Sequence, residues 1–237
     1  MRVEIWSDVV CPWCYIGKRR LDKALARFEH QDGVEVVWRS FELGPRTTAS
    51  DVDLIGYLSA KYGVSREEAA LMNERVTKIA AGEGLDFRLD IARRGNTFDA
   101  HRLLHLGAAR GVQGVLKEGL LAAYQHGGRP IADHDALTDV AVAAGLEEAD
   151  VRALLAGDAY ASEVRADEDD ARRLGISAVP TFVVDRRYAV SGAQPSDVLL
   201  ELLEQAWADR SRLEVVTVPG SGDADACGPE GCEVPAD

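Results

Sequence analysis

The sequence predicts an α/β protein whose core is built from two separated stretches, residues 1–45 and 170–212. A helical subdomain over 46–169 is inserted between them, and a tail follows over 213–237. Three observations carry this reading. Alternating apolar runs occur near both ends and read as strands. The long middle stretch carries only helical periodicity. Two cysteines sit at the junction between the first strand and the first helix.

Val3 and Ile5 alternate with Glu4 and Trp6, which suits a short strand. From Pro12 onward Cys14, Leu21, Leu25 and Phe28 recur at spacings of seven, four and three, one face of a helix. Proline is tolerated in a first helical turn because its missing N–H would be unpaired there anyway. Val34, Val36 and Trp38 form a second alternating run, so the first forty residues predict a parallel strand pair joined by a crossover helix. From about Asp51 to Leu174 the patterns are helical. Ser65 and Glu68 make a capping box, and Gly145, Gly157 and Gly175 are read as left-handed helix stops. Thr181 to Val184 and Tyr188 to Val190 predict a hairpin turned by Asp185-Arg186-Arg187. Val198, Leu199, Leu202, Leu203 and Ala206 mark a last helix, with Pro195 at its start. The acidic run Glu163, Asp167, Glu168, Asp169, Asp170 reads as a solvated helix face. Glu214 to Val218 suits a short strand, and the last ~20 residues read as flexible.

The 237 residues carry 27 Lys plus Arg against 40 Asp plus Glu, a net charge of −13. Phosphate backbones repel such a chain, so nucleic acid is not an expected partner. No apolar run approaches the ~18 residues of a membrane span, so no membrane association is expected. The chain enters a strand at once from Met1, without a basic and then apolar leader, so the expected compartment is the cytoplasm. In a reducing compartment the four cysteines are expected to be catalytic, redox-sensing or metal-binding rather than structural.

Cys11-Pro12-Trp13-Cys14 places two thiols on one face of a first helical turn. Unpaired N–H groups and the helix dipole favour an anion there, and the thiolate is the reactive form of cysteine. Lowering a thiol pKa by ~2 requires roughly 2.7 kcal/mol of preferential stabilisation. The dipole supplies at most ~2 kcal/mol, so hydrogen bonds to the Cys11 sulfur must supply the rest. Cys11 is therefore the expected acidic, attacking thiolate, and Cys14 the resolving thiol. A half zinc site or a pair of core cysteines is the alternative. His101 and His105 share a helix face at i, i+4, a spacing metal pairs use, but no third ligand is evident and no metal is expected. Asn96, Thr97 and His101 are candidates to face the dithiol, with a helix N-cap as the plainer role for Thr97. Cys227 and Cys232 flank Gly-Pro-Glu-Gly, a loop tight enough for the sulfurs to meet. A relay to Cys11–Cys14 or a redox sensor, a shared zinc, and incidental thiols are the three readings.

Val179-Pro180-Thr181-Phe182 stands where a thioredoxin-type fold places a cis-proline opposite its C-x-x-C. With Asp8 to Gly17, Asn96-Thr97 followed by Ala100-His101-Arg102-Leu103, and Tyr188 to Gln194, the chain resembles the DsbA-like group and within it the FrnE-like proteins, over about residues 1–210. The resemblance implies a thioredoxin fold with a large helical insertion. It also implies a protein disulfide oxidoreductase or isomerase acting on protein thiols. Val179 and Pro180 would hold the substrate backbone beside Cys11, with Trp13 contacting substrate. No organic cofactor is implied, with glutathione as the candidate reductant. A C-terminal cysteine pair also occurs in some FrnE-like proteins, which favours the relay or sensor for Cys227 and Cys232. Kappa-class glutathione transferases and 2-hydroxychromene-2-carboxylate isomerases are related but usually carry Ser where this chain has Cys11. A glutathione-dependent isomerase and a redox-sensing chaperone without turnover are the alternatives. Trp13 brings no positive charge to the dithiol, so a potential less oxidising than DsbA's ~−120 mV is expected.

Overall fold

A computed structural model describes residues 1–47 and 53–210. The chain opens with β1 (Arg2–Ser7), α1 (Pro12–Leu25) and, after a single turn at Gln31–Gly33, β2 (Glu35–Ser40). Seven helices follow: α2 (Leu54–Tyr62), α3 (Arg66–Gly82), α4 (Phe98–Ala109), α5 (Gln113–Gln125), α6 (His134–Ala143), α7 (Glu148–Ala156) and α8 (Ala161–Arg173). The chain then returns to the sheet through β3 (Thr181–Val184) and β4 (Tyr188–Ser191) and ends its described part in α9 (Ser196–Arg210).

The sheet order is β2-β1-β3-β4. β1 and β2 pair in parallel from Arg2↔Glu35 to Ser7↔Ser40, the geometry a crossover helix allows. β3 runs antiparallel to β1, with Trp6 opposite Thr181, and forms a hairpin with β4. Asp185 and Arg186 turn that hairpin at positive φ (46° and 57°). The Asp185 side chain accepts the Arg2 N–H at 2.7 Å, which ties the turn to β1.

Four apolar clusters occur among the described residues, and three of them position the site. Ile5, Leu21, Phe182, Leu199 and Leu203 fill the space between the sheet, α1 and α9. Leu103, Leu116, Leu120, Leu137 and Val151 form the core of the helical region. Cys11, Cys14, Tyr15, Ile16, Val76, Phe87 and Leu121 make a third cluster at the joint. Each fully buried Leu, Ile or Phe contributes about 1.5–3 kcal/mol relative to exposure. The dithiol therefore sits where the first helix of the sheet domain meets the helical insertion.

Both faces of β1 are covered. Val3 and Ile5 face α1 and α9, while Trp6 packs with Ala171 and Val183 on the other side. Glu4 is buried on that second face, where it accepts hydrogen bonds from Arg39 (2.8 Å) and Arg186 (2.7 Å). The capping box forms: Ser65 Oγ accepts the Glu68 N–H at 3.1 Å, and Glu68 accepts the Ser65 N–H at 2.9 Å. Gly145 and Gly175 are left-handed, at φ 98° and 71°. Gly157 is not: it ends α7 in an extended conformation with φ −117°, so no special backbone freedom is used there. Asp167 also departs from expectation. It is buried in α8, holding Arg39 (2.9 Å), the Ser40 N–H (2.9 Å) and His105 (3.1 Å), because α8 lies on β2 rather than facing water throughout.

Candidate active site

Cys11 is the N-cap of α1, with extended φ and ψ of −86° and 115° and Pro12 in the first turn. Its backbone N–H bonds to the Asp8 carbonyl at 3.3 Å, and the Cys14 N–H bonds back to the Cys11 carbonyl at 3.1 Å. This compact start aims the two sulfurs differently. Cys11 is 4% exposed and borders a cavity, whereas Cys14 is completely sealed. Both are free thiols.

The Val179–Pro180 bond is cis. The S–H of Cys11 has two acceptors in reach, the Val179 carbonyl oxygen at 3.8 Å and the Cys14 sulfur. A Cβ on residue 17 would meet Pro180 Cγ at 3.0 Å and Phe182 Cζ at 3.2 Å. Gly17 thus lets α1 lie directly on the proline loop. Trp13 is 40% exposed and lines the cavity with Cys11 and Pro12.

Beneath Cys14 lies a polar cluster that none of the periodicities announced. Ser7, Asp8, His101 and Lys117 are all fully buried. Asp8 accepts the Leu43 N–H at 2.7 Å and stands 3.4 Å from His101 Nε2. Lys117 Nζ donates to the Ser7 carbonyl at 3.5 Å and lies 5.5 Å from the centre of the Trp38 ring. Burial pushes the Asp8 carboxyl up, but His101, the Leu43 N–H and Lys117 outweigh it and hold Asp8 below the usual carboxylate range. Burial pulls the Lys117 ammonium down to about 8, against the opposing pull of Cys14, Asp8 and Cys11.

These charges reverse the expected ranking of the two thiols. Burial pushes Cys14 up, yet the hydrogen bond from Cys11, the Lys117 charge and Ser7 outweigh it, so Cys14 is the more acidic partner. Its bond to Cys14 and its own burial then push the Cys11 thiol well above the usual value. The dipole of α1 alone does not give this ranking, because the counter-charge comes from Lys117 on α5. Once the first proton has left, the two sulfurs share the other, and that first ionisation belongs to the pair.

Other candidate residues find separate places. Asn96, not Thr97, caps α4: its side-chain oxygen accepts the Phe98 N–H at 2.8 Å, while Thr97 makes no capping bond. Asn96 also donates to Glu42 (3.2 Å) and the Pro45 carbonyl (3.1 Å). Thr97 is buried in the cavity wall. His101 and His105 take different carboxylates, Asp8 and Asp167. Among the described residues no group of three or more His, Cys, Asp or Glu converges as a metal site. Cys227 and Cys232 lie outside the described residues. No described helix is long and apolar enough to cross a membrane.

The chain belongs to the DSBA-like thioredoxin domain family, whose model matches residues 2–204. It is similar over 100% of both chains to a probable DsbA oxidoreductase from Streptomyces coelicolor, with 49% identity and a TM-score of 0.86. Its fold is similar to that of a putative protein disulfide isomerase from Nitrosomonas europaea (15% identity, 89% of this chain and 98% of that one, TM-score 0.65). It is also similar in fold to the cytosolic disulfide reductase DsbM from Pseudomonas aeruginosa with GSH (18% identity, 88% and 100%, TM-score 0.63).

Proposed function

We propose that the protein is a thiol–disulfide oxidoreductase that exchanges disulfides with protein substrates through Cys11 and Cys14. The observation that carries this reading is the unequal burial of the two sulfurs: Cys11 at a cavity wall, Cys14 sealed against a buried cation. Only Cys11 can meet an external sulfur. As it attacks, its proton passes to the Cys14 sulfur beside it. The Cys11 sulfur bonds to one client sulfur, and the client's other sulfur leaves with the electron pair. Cys14 then gives up its proton and attacks the Cys11 sulfur. The mixed disulfide breaks, and the second client sulfur departs. Two electrons pass from the dithiol to the client; the proton that the two cysteines share ends on one client sulfur, and water protonates the other. Oxidation of a client is the same sequence reversed. Lys117 steadies the charge on Cys14 in both directions, as a positioning residue. Val179 and Pro180 hold the client backbone beside Cys11, and Trp13 covers its flank.

Disulfide isomerisation follows from the same steps when the client's own thiol, not Cys14, resolves the mixed disulfide. Glutathione is the candidate reductant, consistent with the glutathione that the DsbM structure holds. The cytoplasm is the proposed compartment, and Cys227 with Cys232 the proposed relay or sensor. A Cys14→Ala variant tests the central reading. It should accumulate client proteins disulfide-linked to Cys11, released by reductant and absent from a Cys11→Ala/Cys14→Ala double variant. Turnover that survives Cys14→Ala and depends on glutathione would favour a glutathione-dependent isomerase instead.

A further inference from the structure

The cavity beside Cys11 has a volume of about 520 Å³, within the range of pockets that hold a drug-sized group. Its walls are largely apolar, with Trp13, Tyr57, Leu58 and Met72 among them. Three cations share those walls: Lys61, Arg75 and Arg94. The chain has a net charge of −13, and most of its arginines sit in ion pairs with neighbouring carboxylates. None of these three pairs with a described carboxylate. Arg94 instead lies 3.4 Å over the Tyr57 ring centre, and Lys61 lies 5.6 Å from the centres of Tyr57 and Tyr62. The sole described carboxylate in the wall is Asp8, which is already engaged by Leu43 and His101.

Three cations without a described carboxylate partner around an apolar hollow, in an acidic protein, match a ligand with an apolar body and a negative end. We infer that this cavity selects the disulfides that Cys11 attacks, favouring those with a carboxylate and an aromatic or aliphatic group beside the sulfur. This inference rests on the exchange activity proposed above and names its substrate class. An acidic–aromatic pair next to a client protein's cysteine would supply that chemistry, and so would a free aromatic disulfide bearing carboxylates.

The test compares three peptides disulfide-linked to one common leaving thiol, in which the cysteine is flanked by Phe-Glu, Phe-Gln or Phe-Lys. The reduced full-length protein should react about tenfold faster with the Glu peptide than with the Lys peptide at low ionic strength, and the ratio should shrink with added salt. In Lys61→Gln/Arg75→Gln/Arg94→Gln the ratio should fall to within twofold. Because Arg94 also packs on Tyr57, the Lys61→Gln/Arg75→Gln double variant provides a second reading, with the ratio falling at least threefold. A parallel arm compares 5,5′-dithiobis(2-nitrobenzoate) with the uncharged 4,4′-dithiodipyridine. A variant-sensitive preference for the anion in either arm supports the inference and identifies the source. Ratios within twofold for the wild-type protein, or unchanged in both variants, in both arms, would overturn it. Exchange with none of the three peptides would instead count against the oxidoreductase reading itself.

Discussion

The two sides of the C-P-W-C turn are built from opposite materials. On the inner side Cys14 meets Asp8, His101 and Lys117, all sealed from water, with each charge facing an opposite one. On the outer side Cys11 opens on an apolar cavity whose cations have no carboxylate partner among the described residues. Charge inside is balanced because a lone buried ion costs several kcal/mol. Charge outside is left unbalanced, at little cost, because water solvates it. The inner side therefore fixes how the dithiol ionises, and the outer side is free to choose what the dithiol meets. The helical region supplies both: His101 and Lys117 come from α4 and α5, Lys61 and Arg75 from α2 and α3. The sheet domain contributes the thiols, the proline loop and the Asp8 carboxylate, and the insertion contributes the cations that face them.

The strongest way to break this contrast is Asp8→Asn. The substitution removes the buried carboxylate that faces His101 and Lys117 and leaves the Lys117 ammonium without it. Unfolding in urea should show a loss of about 3 kcal/mol at pH 7. The pH dependence has a fixed sign. The folded state holds the Asp8 carboxyl below its ordinary value of 3.8. Its contribution is therefore complete above about 3.8 and disappears as pH falls through the lowered value. The gap between wild type and variant should close in that acidic window. A gap that stays constant down to pH 2 would show that Asp8 acts through packing rather than charge.

Lys117→Met should have a smaller and chemically distinct effect. Methionine keeps the length of the stem and removes the positive charge facing Cys14. The ionisation midpoint of the dithiol, read as the pH dependence of iodoacetamide labelling, should rise by about one pH unit. Labelling at pH 7 should slow by nearly tenfold. Lys117→Arg should restore part of the loss, since the charge returns on a longer side chain. An unmoved midpoint in Lys117→Met would detach Lys117 from the thiols and return the search for the counter-charge to the dipole of α1.

The outer architecture was legible because it repeats local rules. Alternation gave β1 and β2, the Ser65–Glu68 box placed α3, and Cys11-Pro12 fixed the start of α1. The sequence motif also placed Cys11 and Cys14 at the tip of α1, next to the cis Val179–Pro180 bond. Of the inner groups only His101 was marked in the sequence as a candidate to face the dithiol; the roles of Asp8 and Lys117 were not legible, because they lie in contacts across 93 to 109 residues of chain (from Asp8 to His101 and to Lys117). A trace was nevertheless present. Lys117 shares a face of α5 with Leu121 and Tyr124, both buried, and a lysine inside an apolar stripe is rarely accidental. Asp167 was misplaced for the same reason. An acidic run reads as solvated until a strand carrying Arg39 is laid across it.

The smallest expected effect sharpens the contrast from the outer side. Trp13 is 40% exposed and touches the cavity, and it carries no charge. Trp13→Ala should therefore change unfolding stability by no more than about 0.5 kcal/mol, as exposed substitutions usually do. The labelling midpoint should stay with the wild type, because Lys117 and Ser7 are untouched. What should change is exchange with a disulfide flanked by an aromatic residue, slowed about threefold by loss of one ring–ring contact worth roughly 0.6 kcal/mol. A disulfide flanked by alanine should feel the substitution less. If Trp13→Ala shifted the midpoint as far as Lys117→Met, ionisation would be set from both sides of the turn, and the division between an inner, charge-setting face and an outer, selecting face would fail.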